Sequence, residues 1–134
     1  MGARKARVES AEGRRLEPVP RCRGAKKAVL IGEEEGAPNF AKRRFVLEPG
    51  GRIAAHRHPH IEHEQYVLSG EMTLGLDDET MTAGEGDVVF IPAGTVHWYE
   101  NQTDESVEFL CTVPITDEYT TEWLEDPPEG AYQE

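Results

Sequence analysis

The fold is decided by the stretch GGRIAAHRHPHIEHEQYVLSG, which covers residues 50–70. This stretch holds four of the five histidines of the chain and has glycine at both ends. Successive side chains of an extended strand point to opposite faces, so His56 and His58 share one face, roughly 7 Å apart along the strand, while Arg57 occupies the other. Two imidazoles placed in this way are the natural beginning of a metal site.

Further imidazoles come from the same stretch and from a second one, residues 86–101, which glycine and proline also frame. We predict that His63 joins the pair after a turn marked by Pro59. His97, in the second stretch, is the fourth candidate and comes from a distant strand. His60 falls in the turn itself and is expected at the rim of the site.

The rest of the chain has the pattern of short strands separated by turn signals. Met72 and Leu74 alternate with small or polar neighbours, and no segment has the periodicity of an amphipathic helix. We expect a strand over residues 40–48 that Pro-Gly-Gly at 49–51 stops, and a buried strand over 87–91. About eight or nine strands of this kind predict an all-β fold, either a sandwich or a closed barrel.

Composition divides the chain into a basic, partly disordered N-terminal arm over residues 1–24, a β-barrel over 25–114 and an acidic C-terminal segment over 115–134. The arm is charged and interrupted by prolines, so disorder or irregular structure is expected, with a short strand near its end. Large apolar side chains are scarce after residue 114, and we expect Tyr119 and Trp123 to pin the acidic segment to the outside of the barrel.

The charge distribution argues against nucleic acid as a partner. The formal net charge is −12, yet residues 1–27 carry nine Lys or Arg against three Glu. Residues 58–134 carry nineteen Asp or Glu and neither Lys nor Arg. An acidic body of this kind repels phosphate backbones, and the basic arm is better explained as a mobile or edge-packing segment that partly neutralises it.

Membrane insertion and secretion are also disfavoured. The chain has no apolar run close to the ~18–20 residues of a membrane span, and its N-terminus lacks the apolar core of a secretory signal. Cys22 and Cys111 have the spacing of neither a disulfide framework nor a zinc site. The expected location is therefore the cytoplasm, and the expected partner is a small-molecule substrate.

The spacing of the first stretch resembles the first motif of the cupin family. Five residues separate Gly50 from His56, His58 follows, four residues lead to His63, and six more lead to Gly70. The second stretch carries the whole second motif at the spacing of that family, namely Gly86, Pro92, Gly94, His97 and Asn101. The resemblance covers residues 40–113 and implies a double-stranded β-helix, the jelly-roll barrel of cupins. Because small cupins commonly pair, it also implies a homodimer.

One position departs from the usual cupin pattern. Counting back from Gly70 places His63 where the family usually has a glutamate ligand. Glu62 and Glu64 flank it, and a slip of one residue would bring a carboxylate into the site, but strand parity places both on the opposite face. The stretch is similar here to a cupin subgroup that holds its metal with four histidines. The resemblance therefore implies one divalent transition metal ion per chain (Mn, Fe, Ni, Cu or Zn), with the ligands His56, His58, His63 and His97.

A six-coordinate metal with four protein ligands has two positions open for water, O₂ or a bidentate substrate, which suits an oxygenase or the polarisation of a carbonyl. The leading expectation from the family is a metal-dependent oxidoreductase, a dioxygenase acting on a small carboxylate or diketone-like substrate. The alternatives are a lyase or isomerase that works through an enolate, and a non-catalytic cupin that binds a small ligand.

Two polar residues share strand faces with the proposed ligands. Gln65 has the parity of His63, and Tyr99 that of His97, so each is expected to contact a metal ligand or the substrate. The site is expected to have a lining that is more apolar than cationic, which favours a small organic substrate over a phosphate. The candidates for this lining are Met72, Leu74, Phe90, Val96 and Phe109.

Overall fold

In the computed structural model, which describes residues 5–133, almost all regular structure is β-strand. The strands in chain order are β1 Glu17–Pro18, β2 Arg23–Ile31, β3 Phe40–Arg57, β4 His63–Ser69, β5 Glu71–Leu76, β6 Glu79–Gly84, β7 Val88–Ile91, β8 His97–Glu100, β9 Val107–Pro114 and β10 Glu122–Trp123. A turn of 3₁₀ helix, Glu33–Glu35, follows β2. Over the same residues, no helix has the length and apolar character needed to cross a membrane.

Strand β3 organises the barrel because it is long enough to belong to two sheets. Its first part pairs antiparallel with β2 on one side and with β9 on the other. From β9 the pairing continues through β4 to β7. The second part of β3 pairs with β8 and β10, and from β8 the pairing continues through β5 to β6. Joined through β3, the two sheets form a double-stranded β-helix, so the predicted fold class is confirmed.

The predicted break at residues 49–51 is wrong, because β3 runs through it without interruption. Gly50 has a φ of 78°, a left-handed conformation that glycine adopts without steric penalty. The N–H of Gly50 donates to the carbonyl of Asn101 at 2.9 Å, and the N–H of Asn101 donates to the carbonyl of Gly51 at 2.9 Å. The strand therefore bends from one sheet into the other while its backbone hydrogen bonds continue.

The core lies between the two sheets and consists of the inward-facing residues of alternating strands. In β9, Val107, Phe109 and Cys111 are buried, and the residues between them are half-buried. The ring of Phe109 stacks on Phe45 with 5.1 Å between the centroids, and on Tyr99 with 5.5 Å. This stack of three rings joins β3, β8 and β9 and forms part of the wall of a cavity inside the barrel.

Asn101 is fully buried just after β8, where its side chain ties three backbone segments together. Its Nδ2 donates to the carbonyls of Leu47 at 2.9 Å and Glu105 at 2.7 Å. Its Oδ1 accepts from the backbone N–H of Thr103 at 2.9 Å and from the hydroxyl of the same residue at 2.7 Å. These local hydrogen bonds fold the chain at the end of β8, and the bond to Leu47 connects that end to β3.

Strand β7 is not the buried strand that was predicted over residues 87–91. It pairs with β4, but Val88 is 76% exposed and Phe90 60% exposed, because these residues alternate with the inward-facing Ile91. Val88 lies directly opposite Tyr66 of β4, which is also exposed. These side chains give the sheet an outward apolar face, and the homodimer stays a prediction.

The N-terminal segment lies against the barrel where it is described. Strand β1 pairs with β2, and Nε of Arg14 donates to the carbonyl of Leu30 at 3.1 Å. The side chain of Cys22 is fully buried. Residues 1–4 lie outside the described residues, so the partial disorder expected of the arm and the boundaries of the three segments stay predictions.

Candidate metal centre

The four histidines predicted as metal ligands come together inside the barrel. His56 of β3 pairs directly with His97, the first residue of β8. His58 follows β3 immediately, and His63 begins β4. All four side chains are buried, whereas Arg57 is exposed. The predicted shared face of His56 and His58 is therefore confirmed.

The imidazole rings are close enough for several of them to reach one ion. The ring centroid of His97 lies 4.2 Å from that of His56, 5.7 Å from that of His58 and 5.2 Å from that of His63. Ligand nitrogens of His56, His58 and His97 all lie within 4.8 Å of one another. These three residues could bind a metal ion, and His63 lies beside them as the predicted fourth ligand.

Backbone carbonyls orient three of the rings. Nδ1 of His56 and Nδ1 of His97 each donate to the carbonyl two residues earlier in the chain, at 2.7 and 2.9 Å respectively. Nδ1 of His58 donates to the carbonyl of Thr120 at 3.0 Å. A ring that donates through Nδ1 keeps the lone pair of Nε2 available for a metal. The hydrogen bonds therefore fix the tautomer that a metal ligand needs.

His63 has different surroundings. Its Nδ1 is buried and has no hydrogen-bond partner within residues 5–133. Glu62 and Glu64 on either side of it are exposed, as strand parity predicted. At this position the site thus offers an imidazole and not a carboxylate. A donor set of neutral imidazoles fits a divalent transition ion of intermediate softness.

Burial keeps the imidazoles in the neutral form that metal binding requires. Desolvation lowers the pKa of His58 to about 4 and the pKa of His97 to about 3. Desolvation, followed by the nearby charge of His97, lowers the pKa of His63 to about 2. Burial also lowers the pKa of His56. At neutral pH the four rings are therefore uncharged, and protons do not compete with a metal for them.

We expect the metal-free protein to lose stability as the pH falls from about 6.5 towards about 4, the ordinary and folded-state pKa values of His58. In this window the unfolded chain binds more protons than the folded one, so the free energy of unfolding rises with pH. The change is on the order of a few kcal/mol. Urea denaturation at a series of pH values measures it. His58→Asn is expected to make the free energy of unfolding depend less steeply on pH. His60→Asn, at an exposed position, is expected to keep the wild-type dependence. A wild-type free energy of unfolding that does not change with pH would contradict the prediction.

A cavity of about 410 Å³ opens onto the four rings. Of the apolar candidates for its lining, Phe109 faces it. Met72 and Leu74 are buried in the core without lining it, Phe90 points to solvent, and Val96 is half-buried elsewhere. The apolar part of the wall comes instead mainly from the ring stack and from the C-terminal segment.

Gln65 and Tyr99 both line the cavity and contact each other. Nε2 of Gln65 donates to Oη of Tyr99 at 2.7 Å. The ring of Tyr99 stands perpendicular to that of His97 with 5.8 Å between the centroids, so the predicted contact with a candidate ligand is found for Tyr99. Burial raises the pKa of the Tyr99 phenol, which therefore stays protonated.

The expectation of a lining more apolar than cationic is confirmed, although the wall also contains three cations that the sequence did not identify. Arg21, Lys27 and Arg43 all contribute to the cavity wall. The sequence placed Arg21 in an arm expected to be mobile or to pack at an edge. In the structure the segment just before β2 packs against the barrel and contributes Arg21 to the cavity wall. The signal that could have identified Arg43 is its parity with Phe45 and Leu47, which also face inward.

The acidic C-terminal segment takes part in the site, a role that the prediction of a segment pinned to the outside of the barrel did not include. Strand β10 pairs with β3 so that Trp123 lies opposite His56, with 5.0 Å between the ring centroids. The ring of Tyr119 lies 4.9 Å from that of His58. Both aromatic residues line the cavity. Sequence reasoning missed this because nothing in the local pattern places residues 115–134 relative to the barrel.

Comparison with known proteins agrees with this geometry. Residues 43–113 match the Cupin_2 family, described as a cupin domain. The solved structure of the polyketide cyclase RemF from Streptomyces resistomycificus has a TM-score of 0.83 and 29% sequence identity, and the similarity covers 92% of this chain and 90% of that one.

Two sequence relatives bear different activities in their names. Polyketide synthase CurC from Streptomyces cyaneus is 27% identical over 106 residues, which are 79% of this chain and 69% of CurC. Quercetin 2,3-dioxygenase from Bacillus subtilis is 33% identical over 81 residues, which are 60% of this chain and 24% of the dioxygenase. The chain thus spans only about a quarter of that dioxygenase.

Proposed function

The chain belongs to the cupin domain family, and from this premise we propose that it is a metal-dependent enzyme that cyclises a poly-β-ketone through an enolate. The observation that carries this proposal is the similarity to the polyketide cyclase RemF, which extends over almost the whole of both chains. The buried cavity beside a cluster of neutral imidazoles supports it independently.

The proposed reaction joins two carbons of one molecule. A carbon between two carbonyls gives up a proton to solvent and attacks another carbonyl carbon. The resulting alkoxide takes up a proton from Tyr99, which solvent then reprotonates, and aromatisation of the ring releases water. A divalent metal held by His56, His58 and His97, with His63 as fourth ligand, would polarise a carbonyl oxygen and so acidify the neighbouring C–H group. The reaction requires no oxidant.

Tyr99 is the proton donor in this proposal. Its hydroxyl oxygen already accepts a hydrogen bond from Gln65, so its own proton can be donated to an oxygen of the substrate. The raised pKa keeps that proton in place at neutral pH. Because the hydroxyl lies in the wall of the cavity, a bound substrate would displace water from this position.

We expect Tyr99→Phe to reduce cyclisation by about a hundredfold or more, the usual contribution of a positioned general acid. The metal content should stay at the wild-type value, because the phenol is not a predicted ligand. Turnover of a synthetic linear triketo acid, followed by mass spectrometry, measures the effect. Tyr66→Phe, at an exposed position, is the matched control. Equal rates for Tyr99→Phe and the control would remove Tyr99 from the mechanism.

A second candidate is the dioxygenase activity expected from the sequence, which the similarity to quercetin 2,3-dioxygenase favours. Turnover with and without O₂ separates the two. Cyclisation predicts equal consumption of the substrate in both conditions and a product that differs from it by the loss of water. Uptake of O₂ with both oxygen atoms recovered in the products would replace the cyclase proposal by the dioxygenase.

A further inference from the structure

Arg43 is a buried cation that the proposed chemistry does not yet use. It lies in the first part of β3, is 8% exposed and lines the cavity. Its Nη1 donates to Oη of Tyr119 at 3.3 Å, and its Nη2 to Sγ of Cys111 at 3.2 Å. Its Nε has no hydrogen-bond partner within residues 5–133, and no carboxylate of those residues forms an ion pair with it. A buried guanidinium without a counter-charge is unfavourable unless another group neutralises it.

Lys27 adds a second positive charge to the same wall. It lies in β2, and its register partner in β3 is Phe45, two residues after Arg43. Burial lowers the pKa of Lys27, and the charge of Arg43 is the second cause. The two cations are thus close enough to repel each other. An anion in the cavity would relieve this repulsion and the isolation of Arg43 together.

An acceptor without a partner lies next to the guanidinium. Oε1 of Gln65 is buried and has no hydrogen-bond partner among the described residues. Nε2 of the same amide lies 3.5 Å from Sγ of Cys111, the atom that Arg43 also contacts. The side chains of Gln65 and Arg43 therefore both contact the thiol of Cys111. Together they present an unused donor and an unused acceptor to the cavity.

We propose that Arg43 and Lys27 bind a free carboxylate of the substrate, while Gln65 accepts a hydrogen bond from a neighbouring hydroxyl or enol. The substrate class is then a poly-β-keto acid, and not its neutral ester or thioester. That the rest of the substrate molecule is a poly-β-ketone rests on the proposed function. The carboxylate site rests only on the groups described here.

Isothermal titration of the metal-free protein with 3-oxoglutarate and with its dimethyl ester tests the proposal without any turnover. The dianion is expected to bind about tenfold to a hundredfold more tightly than the ester, the range for hydrogen bonds to charged groups. Arg43→Met should greatly reduce this preference, because only Lys27 then remains to bind the carboxylate, and should leave the weak affinity for the ester unchanged. Arg44→Met is the matched control, because Arg44 pairs with Glu108 at 2.7 Å on the other face of the strand.

Gln65→Glu is a second test that preserves the size of the side chain. The new carboxylate should neutralise Arg43 and lower the affinity for 3-oxoglutarate at least as much as Arg43→Met, in a protein that circular dichroism shows to be folded. The proposal would be overturned if the wild-type protein bound the acid and the ester equally well. It would also be overturned if Arg43→Met bound the acid as tightly as the wild-type protein does. Acid-selective binding without cyclisation of any triketo acid would retain the carboxylate site and reject the proposed function.

Discussion

Alanine in place of His97 is expected to leave the purified protein without bound metal. His97 is 2% exposed and has the other three imidazoles around it, each within 5.7 Å between ring centroids. Its loss removes the ligand that β8 contributes to a site otherwise built by β3 and β4. Residues that only support a ligand already change metal affinity by about 10–100-fold, so loss of the ligand itself should exceed a hundredfold.

Metal analysis after dialysis against a weak chelator measures this effect. The ratio of metal to protein should fall from near one in the wild type to near zero in His97→Ala. His60→Ala is the control, because it removes the fifth histidine from an exposed position. Equal metal content in the two variants would refute the site. His63→Ala tests the fourth ligand separately, and a loss of affinity as large as that of His97→Ala would establish it.

Asn101→Ala should be the most damaging substitution outside the site, with a loss of about 3–4 kcal/mol in the free energy of unfolding. The change leaves the buried carbonyl of Leu47 without its partner, and it removes the partly buried hydrogen bonds to the carbonyl of Glu105 and the N–H of Thr103. Each buried polar group left unsatisfied costs about 1–3 kcal/mol, and water entering the gap would offset part of the sum.

Urea denaturation of the metal-free protein gives the value for Asn101→Ala directly. Gln102→Ala is the matched control, since its amide forms exposed hydrogen bonds with Thr73 and Glu100 and its loss should change stability by less than about 0.5 kcal/mol. A small effect of Asn101→Ala would mean that the turn after β8 reforms without the side chain. In that case the hydrogen bonds of Asn101 would not be what holds β8 to β3.

Alternation and turn signals in the sequence were sufficient to predict an all-β fold. The resemblance to cupins, and not local spacing alone, grouped His97 with the other three histidines. Alternation in β4, β5 and β9 follows directly from residue order, and turns fall where glycine and proline allow them. Parity also placed His63 inside and its flanking glutamates outside. These properties need no knowledge of which strands are neighbours.

What the sequence did not reveal depends on contacts between distant segments. The Pro-Gly-Gly at 49–51 is a stop signal by composition, and only the hydrogen bonds to Asn101 turn it into a bend within one strand. The run of cations at residues 42–44 indicates a solvated face, although parity turns Arg43 inward. Trp123 reaches His56 only because β10 pairs with β3, which no local pattern predicts.

The bend in β3 has a consequence for which molecules the site can select. The guanidinium of Arg43 lies before the bend and the imidazole of His56 lies after it, on one continuous strand. If an acid group and a reacting ketone occupy these two places, the distance between them is set by the backbone itself and not by a movable loop. In that case β3 would favour a substrate whose acid group and reacting ketone are separated by the same distance as Arg43 and His56.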